Sequence, residues 1–140
     1  MLAETARKAG VITNEEFAIF QNAGYMGLYG GMTVDEIHQK KGLAVGQKIL
    51  DYMGSTELAA NLFRISQTDE KLRKDKVSDA NTATAVHHAV GKEVREAIEK
   101  IGGTMPEDLP TPAKSIAQIE KEQLEILKSK AKSGQLLLDE

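Results

Sequence analysis

Cysteine and tryptophan are absent from this 140-residue sequence, which contains only three prolines, three phenylalanines and three tyrosines. Without cysteine, the chain can form no disulfide framework, thiolate nucleophile or cysteine metal site. No apolar run approaches the roughly 18 residues needed to span a bilayer, and residues 1–8 lack the apolar core of a secretory signal. We therefore expect a soluble cytoplasmic protein with no membrane partner.

The chain also lacks an excess of basic residues. Its net charge is −3, from 18 basic and 21 acidic side chains. Strong, sequence-independent nucleic-acid binding normally requires a basic surface, so we expect nucleic-acid contact to be weak or indirect. The densest basic cluster consists of Lys71, Arg73, Lys74 and Lys76, and it is diluted by Asp69, Glu70 and Asp75. We interpret it as a solvated helix end, with a phosphate contact as the alternative.

Helix signals dominate what is present. Thr13 and Thr33 each begin a capping box, with Glu16 and Glu36 three residues later. Apolar residues recur at three- and four-residue spacings between glycine stops, and no segment alternates as a half-buried strand does. The sequence predicts an all-α fold: a compact multi-helix bundle of about six or seven helices with a C-terminal helical arm.

The prolines divide the chain. Pro106, Pro110 and Pro112 fall within seven residues and restrict the backbone there. We predict a helical core domain at 1–103, a proline-rich connector at 104–112 and a helical arm at 113–140, its helix beginning at Thr111 with Pro112 in the first turn. The arm carries an apolar side interrupted by polar residues. It is expected to clasp the bundle or to pair with a second chain, the homodimer being preferred.

Four glycines occur between Gly24 and Gly31, interleaved with Tyr25, Leu28 and Tyr29. Their spacing matches neither the dinucleotide-binding nor the P-loop pattern. Each glycine costs a helix about 1 kcal/mol relative to alanine. We therefore predict a packed turn held by the aromatic side chains rather than a phosphate site.

The segment 52–72 is predicted to be the central helix. Gly54 is expected to end a short helix over 45–53 in the left-handed conformation, and Ser55 to cap the next helix. Apolar residues then recur with helical period, including Leu62 and Phe63. This pattern predicts that Phe63 is buried beside Leu62, in the region of the two other phenylalanines.

Glu57, Asn61 and Arg64 occupy positions i, i+4 and i+7 of the same helix and form one polar row. The row is interpreted as a solvated face or, alternatively, as a contact surface for a partner. Arg64 is the strongest binding candidate because its guanidinium can make bidentate bonds to a carboxylate or a phosphate. The candidate partner-binding residues are Glu57, Asn61, Arg64, Lys71, Arg73 and Lys74.

No catalytic or metal-binding constellation stands out. His87 and His88 are adjacent, so on a helix their side chains point about 100° apart and cannot chelate one metal together. We interpret both as ordinary helix-surface histidines. No paired carboxylates or Ser-His-Asp arrangement is recognisable, so we expect no enzyme activity, no metal and no cofactor.

Several strings in the chain resemble, in the same order, those of the DNA-damage-inducible protein D (DinD) family. They are FAIFQN at 17–22, GY at 24–25, GLYGG at 27–31, IH at 37–38, KGL at 41–43, YMGSTELAANLFR at 52–64, GGTMPE at 102–107 and LPTP at 109–112. The resemblance is to the C-terminal half of the family. Longer relatives also carry an N-terminal domain similar to phage antirepressor proteins, which is not matched here.

The resemblance implies a function that the residues alone do not. It implies a non-catalytic regulatory interaction domain of the bacterial DNA-damage (SOS) response that modulates RecA filaments on single-stranded DNA. Two alternatives remain open. Three short helices within 33–66 also fit a helix-turn-helix, and hence a DNA-binding regulator of the antirepressor type, although bundle packing explains them better. The other is a helical dimerisation domain.

Overall fold

The computed structural model describes residues 1–133, and every regular element within that range is helical. The α-helices are α1 (Leu2–Lys8), α2 (Asn14–Leu28), α3 (Val34–Lys40), α4 (Ser55–Lys74), α5 (Ala80–Ile101) and α6 (Ile116–Ser133). Two 3₁₀ turns, Ile49–Asp51 and Pro106–Asp108, lie in the connections. The all-α prediction is confirmed. The end of the predicted arm, residues 134–140, lies outside the described residues.

The two predicted capping boxes are present. The Thr13 hydroxyl accepts a hydrogen bond from the Glu16 amide at 3.1 Å, and the Glu16 carboxylate accepts one from the Thr13 amide at 2.9 Å. Thr33 and Glu36 make the same reciprocal pair. Each box satisfies amides that a helix start leaves unpaired, so α2 and α3 begin where the sequence predicts.

Other helix boundaries differ from the prediction. Gly54 has φ −73° and ψ 171° and is itself the N-cap of α4, so its predicted left-handed conformation is wrong. The short helix expected over 45–53 is only the 3₁₀ turn Ile49–Asp51. Because this turn ends at Tyr52, with φ −125° and ψ 58°, it needs no left-handed glycine, and Gly54 in extended conformation starts α4.

Helix α2 runs through Gly24 and Gly27, so the turn predicted at Gly24 begins only after Leu28. The reason is a close crossing with α5. A Cβ at Gly27 would lie 2.2 Å from the His88 carbonyl oxygen, and one at Gly91 would lie 2.6 Å from the Gly24 carbonyl oxygen. These glycines let the two backbones touch, and this packing outweighs their low helix propensity.

The core consists of two apolar clusters. One cluster lies around Leu28, Tyr29 and Ile37, with Ile49, Met53, Val90 and Val94 completing it. The other brings Phe20 together with residues of α1, α4 and α5. Both α2 and α5 contribute buried residues to both clusters, so this helix pair forms the centre of the bundle.

The C-terminal helix α6 begins at Ile116 rather than at Thr111. The Ser115 hydroxyl accepts from the Gln118 amide at 3.2 Å, and the Gln118 side chain accepts from the Ser115 amide at 2.9 Å. This unpredicted capping box starts the helix. Residues 120–132 are exposed, including Leu124, Ile126 and Leu127. The predicted pairing with a second chain stays a prediction.

None of the helices within residues 1–133 is long and apolar enough to cross a membrane.

Candidate functional site

Helix α4 packs through its polar side. Glu57, Asn61 and Arg64 are 1%, 0% and 2% exposed, whereas Leu62 and Phe63 are 53% and 54% exposed. The predicted burial of Phe63 is therefore wrong, and so is the prediction that the polar row is an exposed face. The row cannot contact a partner directly in this conformation. The predicted helical period is correct, but the buried side of α4 is centred on the polar row, with Leu72 buried and Leu58 partly buried beside it.

The N-terminal end of this row is anchored by a buried ion pair. The Lys41 ammonium donates to a Glu57 carboxylate oxygen at 2.9 Å and to the carbonyl oxygens of Pro106 and Leu109 at 2.6 and 2.7 Å. The Tyr29 hydroxyl donates to the other Glu57 oxygen at 2.5 Å. Burial, followed by this bond to Glu57, raises the pKa of the Tyr29 phenol well above its ordinary value.

Asn61 continues the chain of bonds in the middle of the row. Its amide nitrogen donates to the Tyr29 hydroxyl and to the Glu57 carbonyl oxygen, both at 3.0 Å. Its amide oxygen accepts from Arg64 Nη2 at 3.0 Å. Both ends of the Asn61 amide are therefore used, as a fully buried amide requires.

At the other end, Arg64 meets His87. Arg64 Nη1 lies 2.6 Å from His87 Nε2, and His87 Nδ1 lies 2.8 Å from the Phe20 carbonyl oxygen. A cationic guanidinium can only donate, so His87 Nε2 must accept and Nδ1 must carry the proton that goes to Phe20. Burial and then the Arg64 charge lower the pKa of His87 to about 3, which keeps the ring neutral.

We call these six side chains the core polar network: Lys41, Glu57, Tyr29, Asn61, Arg64 and His87. It joins residues of the connection after α5 to the backbone of α2 through one continuous series of hydrogen bonds. It contains two cations and one carboxylate, so it carries one unbalanced positive charge. That charge lies on Arg64, because Lys41 is paired with Glu57.

A cavity of about 580 Å³ borders Arg64 and His87. Most of its wall is apolar or aromatic, formed by residues of α1, α2, α3, α4 and the 3₁₀ turn at Ile49–Asp51. The lining includes Phe17, Phe20, Tyr25, Val34, Leu50 and Ile65. The Arg64 guanidinium carbon lies 4.6 Å from the centre of the Tyr25 ring, a cation–π stacking distance. We call this space the Arg64 cavity.

A second concave surface lies between α4 and α5. This α4–α5 groove has a volume of about 590 Å³ and is lined by Phe63, Lys71 and Lys74 from α4, and by Ala89, Val90 and Ala97 among the α5 residues. Lys71 pairs with Asp75 at 2.8 Å across one helical turn. The groove thus combines an exposed ring with side chains of both charges, since Glu70, Asp75 and Glu93 also line it.

The candidate residues of the basic cluster remain exposed. Lys71 and Lys74 line the α4–α5 groove, whereas Arg73 donates to the buried Asp69 carboxylate at 2.9 Å. Asp69 also accepts from the Thr5 hydroxyl of α1, and these bonds lower the pKa of Asp69. Asp69 therefore links α4 to α1 while Arg73 pairs with it within α4, and the predicted partner contacts of all three cations stay predictions.

His87 is not the surface residue that the sequence suggested. It is fully buried, whereas His88 is exposed as predicted. Within residues 1–132, no group of histidine and acidic side chains is arranged to hold a metal ion. Three members of the network, Tyr29, Lys41 and His87, were not identified from the sequence. Their hydrogen-bond partners are distant in the sequence, so no local spacing connects them. One sequence signal indicated that the side of α4 carrying the polar row is buried. The apolar residue Leu72 continues this row with helical spacing, and in the structure it is 2% exposed.

Residues 1–119 match the family model of the DinD C-terminal domain. The chain belongs to this family. It is 60% identical over 119 residues to DNA damage-inducible protein D of Escherichia coli (strain K12), a match that covers 85% of this chain and 43% of that relative. The matched part is therefore less than half the length of the curated relative. No solved structure matches the chain significantly.

The DinD C-terminal domain match extends from the start of the chain to the first turn of α6. It includes the whole core polar network, the Arg64 cavity and the α4–α5 groove. Residues 120–133 of α6 lie beyond it. The two surfaces described above thus belong to the family domain, whereas most of the exposed helix α6 does not.

Proposed function

We propose that this chain is a non-catalytic interaction domain of the bacterial DNA-damage response that modulates RecA filaments on single-stranded DNA. Membership of the DinD C-terminal domain family supports the DNA-damage role. The resemblance set out above suggests RecA as the partner. The proposal makes RecA-coated DNA, rather than DNA alone, the target of the domain.

The contact surface in this proposal is the α4–α5 groove together with Leu62 and Phe63. An aromatic ring that is 54% exposed on a rigid helix is the observation that carries this choice. Aromatic side chains are enriched at protein interfaces relative to the rest of the surface. Lys71 and Lys74 share the groove with the acidic residues Glu70, Asp75 and Glu93, so its charged side chains would select a partner by complementary pairing rather than by attraction to one sign of charge.

The charge of the chain bears on whether protein or DNA is contacted. A net charge of −3 disfavours binding to bare single-stranded DNA, which is itself strongly negative. Protein surface displayed on a filament carries no such general penalty. The proposal therefore predicts tighter binding to RecA-coated DNA than to the same DNA without RecA.

A titration of labelled single-stranded DNA, bare and RecA-coated, followed by fluorescence anisotropy tests this function. Phe63→Ala should weaken filament binding by about tenfold or more, the usual loss for a central interface residue. The matched control is Ile19→Ala, which removes an apolar side chain 60% exposed on α2. Undiminished filament binding by Phe63→Ala would reject this surface, and no filament binding by the unmodified chain would reject the function.

A dimerisation role is the second candidate, favoured by the exposure of Leu124, Ile126 and Leu127 on α6, which are 52%, 56% and 48% exposed. Apolar side chains on one helix are often covered by a second copy. Light scattering over a range of concentrations would detect such a dimer. Dimerisation without any filament or DNA binding would favour this role over the proposed one. Salt-dependent binding to bare DNA would instead favour a DNA-binding module.

A further inference from the structure

Arg64 is a buried cation that only neutral groups surround. Its contacts are the His87 ring nitrogen at 2.6 Å, the Asn61 amide oxygen at 3.0 Å and the face of Tyr25. Its Nε atom is buried and has no hydrogen-bond partner. Buried charges are normally paired with an opposite charge, and buried donors are normally bonded. Arg64 departs from both rules.

Other shielded cations in the chain do have carboxylate partners. Lys41 pairs with Glu57 at 2.9 Å, and Arg95 holds both Glu107 carboxylate oxygens at 2.8 Å. Within residues 1–132, no carboxylate forms an ion pair with Arg64. The extent of burial does not explain why Arg64 lacks a carboxylate partner. Arg95 is more exposed than Arg64 and therefore needs a partner less, yet it has one. The surroundings of Arg64 thus lack a negative charge that comparable sites contain.

The Arg64 cavity offers space for that charge. Its volume of about 580 Å³ lies within the range of small-molecule sites, which are mostly apolar with a few polar groups that fix orientation. Phe17, Phe20 and Leu50 supply apolar wall, and Arg64 supplies the cation. Such a cavity suits a molecule with an apolar body and one anionic end.

We propose that the Arg64 cavity is a binding site for small apolar monocarboxylates, with the carboxylate directed to Arg64 and the body against the aromatic wall. A carboxylate fits the planar guanidinium better than a spherical anion because it can accept two parallel N–H bonds. The Nε atom supplies a donor that no protein group uses. Since Nε is covered by protein, binding requires a small shift of the neighbouring side chains.

Two exposed charged side chains at the cavity rim allow the predicted preference for anionic ligands to be tested. Lys48 and Asp51 both contribute to the lining and are exposed. Lys48 should attract an anionic ligand and Asp51 should repel it. Lys48→Gln should therefore weaken carboxylate binding, and Asp51→Asn should strengthen it, each by about two- to fivefold at low salt. Neither change alters a buried residue.

The experiment titrates the full chain with naphthaleneacetate and, separately, octanoate, and follows the Arg64 Nε–H signal by NMR. The chain has four arginines, so this signal can be assigned by its loss in Arg64→Lys. Naphthaleneacetamide is the matched neutral probe, since it keeps the ring and removes the charge. We expect saturable binding of the acid, at least about tenfold weaker binding of the amide, and a shift of the Nε–H signal with the acid alone.

Equal affinity for acid and amide would overturn the proposal, because the cavity would then bind apolar bodies without using Arg64. Failure of both acids to bind at up to about 10 mM would also overturn it. Lys48→Gln and Asp51→Asn keep the test informative if Arg64→Lys fails to fold. The site is independent of the proposed RecA contact: Phe63→Ala should leave carboxylate binding unchanged, so failure of one proposal does not decide the other.

Discussion

The two long helices α4 and α5 are held in the bundle by opposite chemistry. Helix α5 buries Ala83, Val90 and Val94, and its Gly91 lies against the backbone of α2. Helix α4 buries mainly polar side chains and leaves Leu62 and Phe63 exposed. Both helices show clear periodicity in the sequence. The comparison teaches that periodicity locates a helix, whereas the partners available elsewhere in the chain decide which face is buried.

The two kinds of packing also respond differently to substitution. Close contact between α2 and α5 depends on the absence of side chains, so added atoms are costly there. The core polar network depends on hydrogen bonds between buried groups, so removed atoms leave a partner unbonded and are costly there. We expect substitution in the α2–α5 crossing to lower the free energy of unfolding most, and substitution in the core polar network to lower it somewhat less.

The largest effect is expected for Gly27→Ala in the α2–α5 crossing. The new Cβ would lie 2.2 Å from the His88 carbonyl oxygen and 2.9 Å from the Lys92 amide nitrogen, both on the α5 backbone. The helices must separate, so we expect a loss of about 3 kcal/mol or more in chemical denaturation. Gly54→Ala is the control, because nothing lies near its Cβ position; it should cost no more than about 1 kcal/mol. Equal losses would show that the crossing is not tight.

A somewhat smaller effect is expected for Asn61→Ala in the core polar network. The change removes bonds to Tyr29, to the Glu57 carbonyl and to Arg64, and leaves buried groups unpaired. We expect a loss of about 2–3 kcal/mol, measured by urea denaturation. Gln67→Ala, at an exposed position of the same helix, should change stability by less than about 0.5 kcal/mol. Similar values for the two variants would contradict the buried network.

Acid should destabilise the protein through His87. Its folded pKa of about 3 lies below the ordinary value of 6.5, so the unfolded chain binds a proton first as the pH falls. The stability that neutral His87 contributes is present above pH 6.5 and is lost progressively as the pH falls toward 3. Between pH 7 and pH 5 this loss should reach about 2 kcal/mol.

Denaturation at several pH values with two histidine variants isolates this effect. His87→Gln should remove most of the pH dependence between pH 5 and 7, whereas the exposed His88→Gln should retain it. The range stops at pH 5 because Asp69, Asp75 and Asp79 also have lowered pKa values and would add to the slope in stronger acid. An unchanged slope in His87→Gln would show that this ring is not held neutral.

Much of the fold was predictable because its signals are local. Capping boxes at Thr13 and Thr33 and the left-handed glycine after α5, Gly102 with φ 84°, lie within a few residues of the helix ends that they define. The path of α2 through Gly24 was not predictable in this way. Its cause is the approach of Gly91, which is far away in the sequence. Local helix propensity carries no information about such a contact.

The sequence predicts which α4 residues belong to the candidate site, but not that their side chains point into the core. Glu57, Asn61 and Arg64 were singled out correctly as one row, yet their burial depends on Lys41, Tyr29 and His87. Burial of a polar row requires hydrogen-bond partners from distant parts of the chain, and no spacing rule reveals them. The exposed position of Phe63 follows directly, since it lies on the other side of the same helix.

One pair of variants tests the orientation of α4 most directly. Phe20 and Phe63 are 1% and 54% exposed, so the same substitution to alanine compares a buried with an exposed ring. Thermal and urea denaturation should show a loss of about 3–5 kcal/mol for Phe20→Ala and less than about 0.5 kcal/mol for Phe63→Ala. A loss for Phe63→Ala as large as that for Phe20→Ala would contradict the account, because α4 would then bury its apolar face.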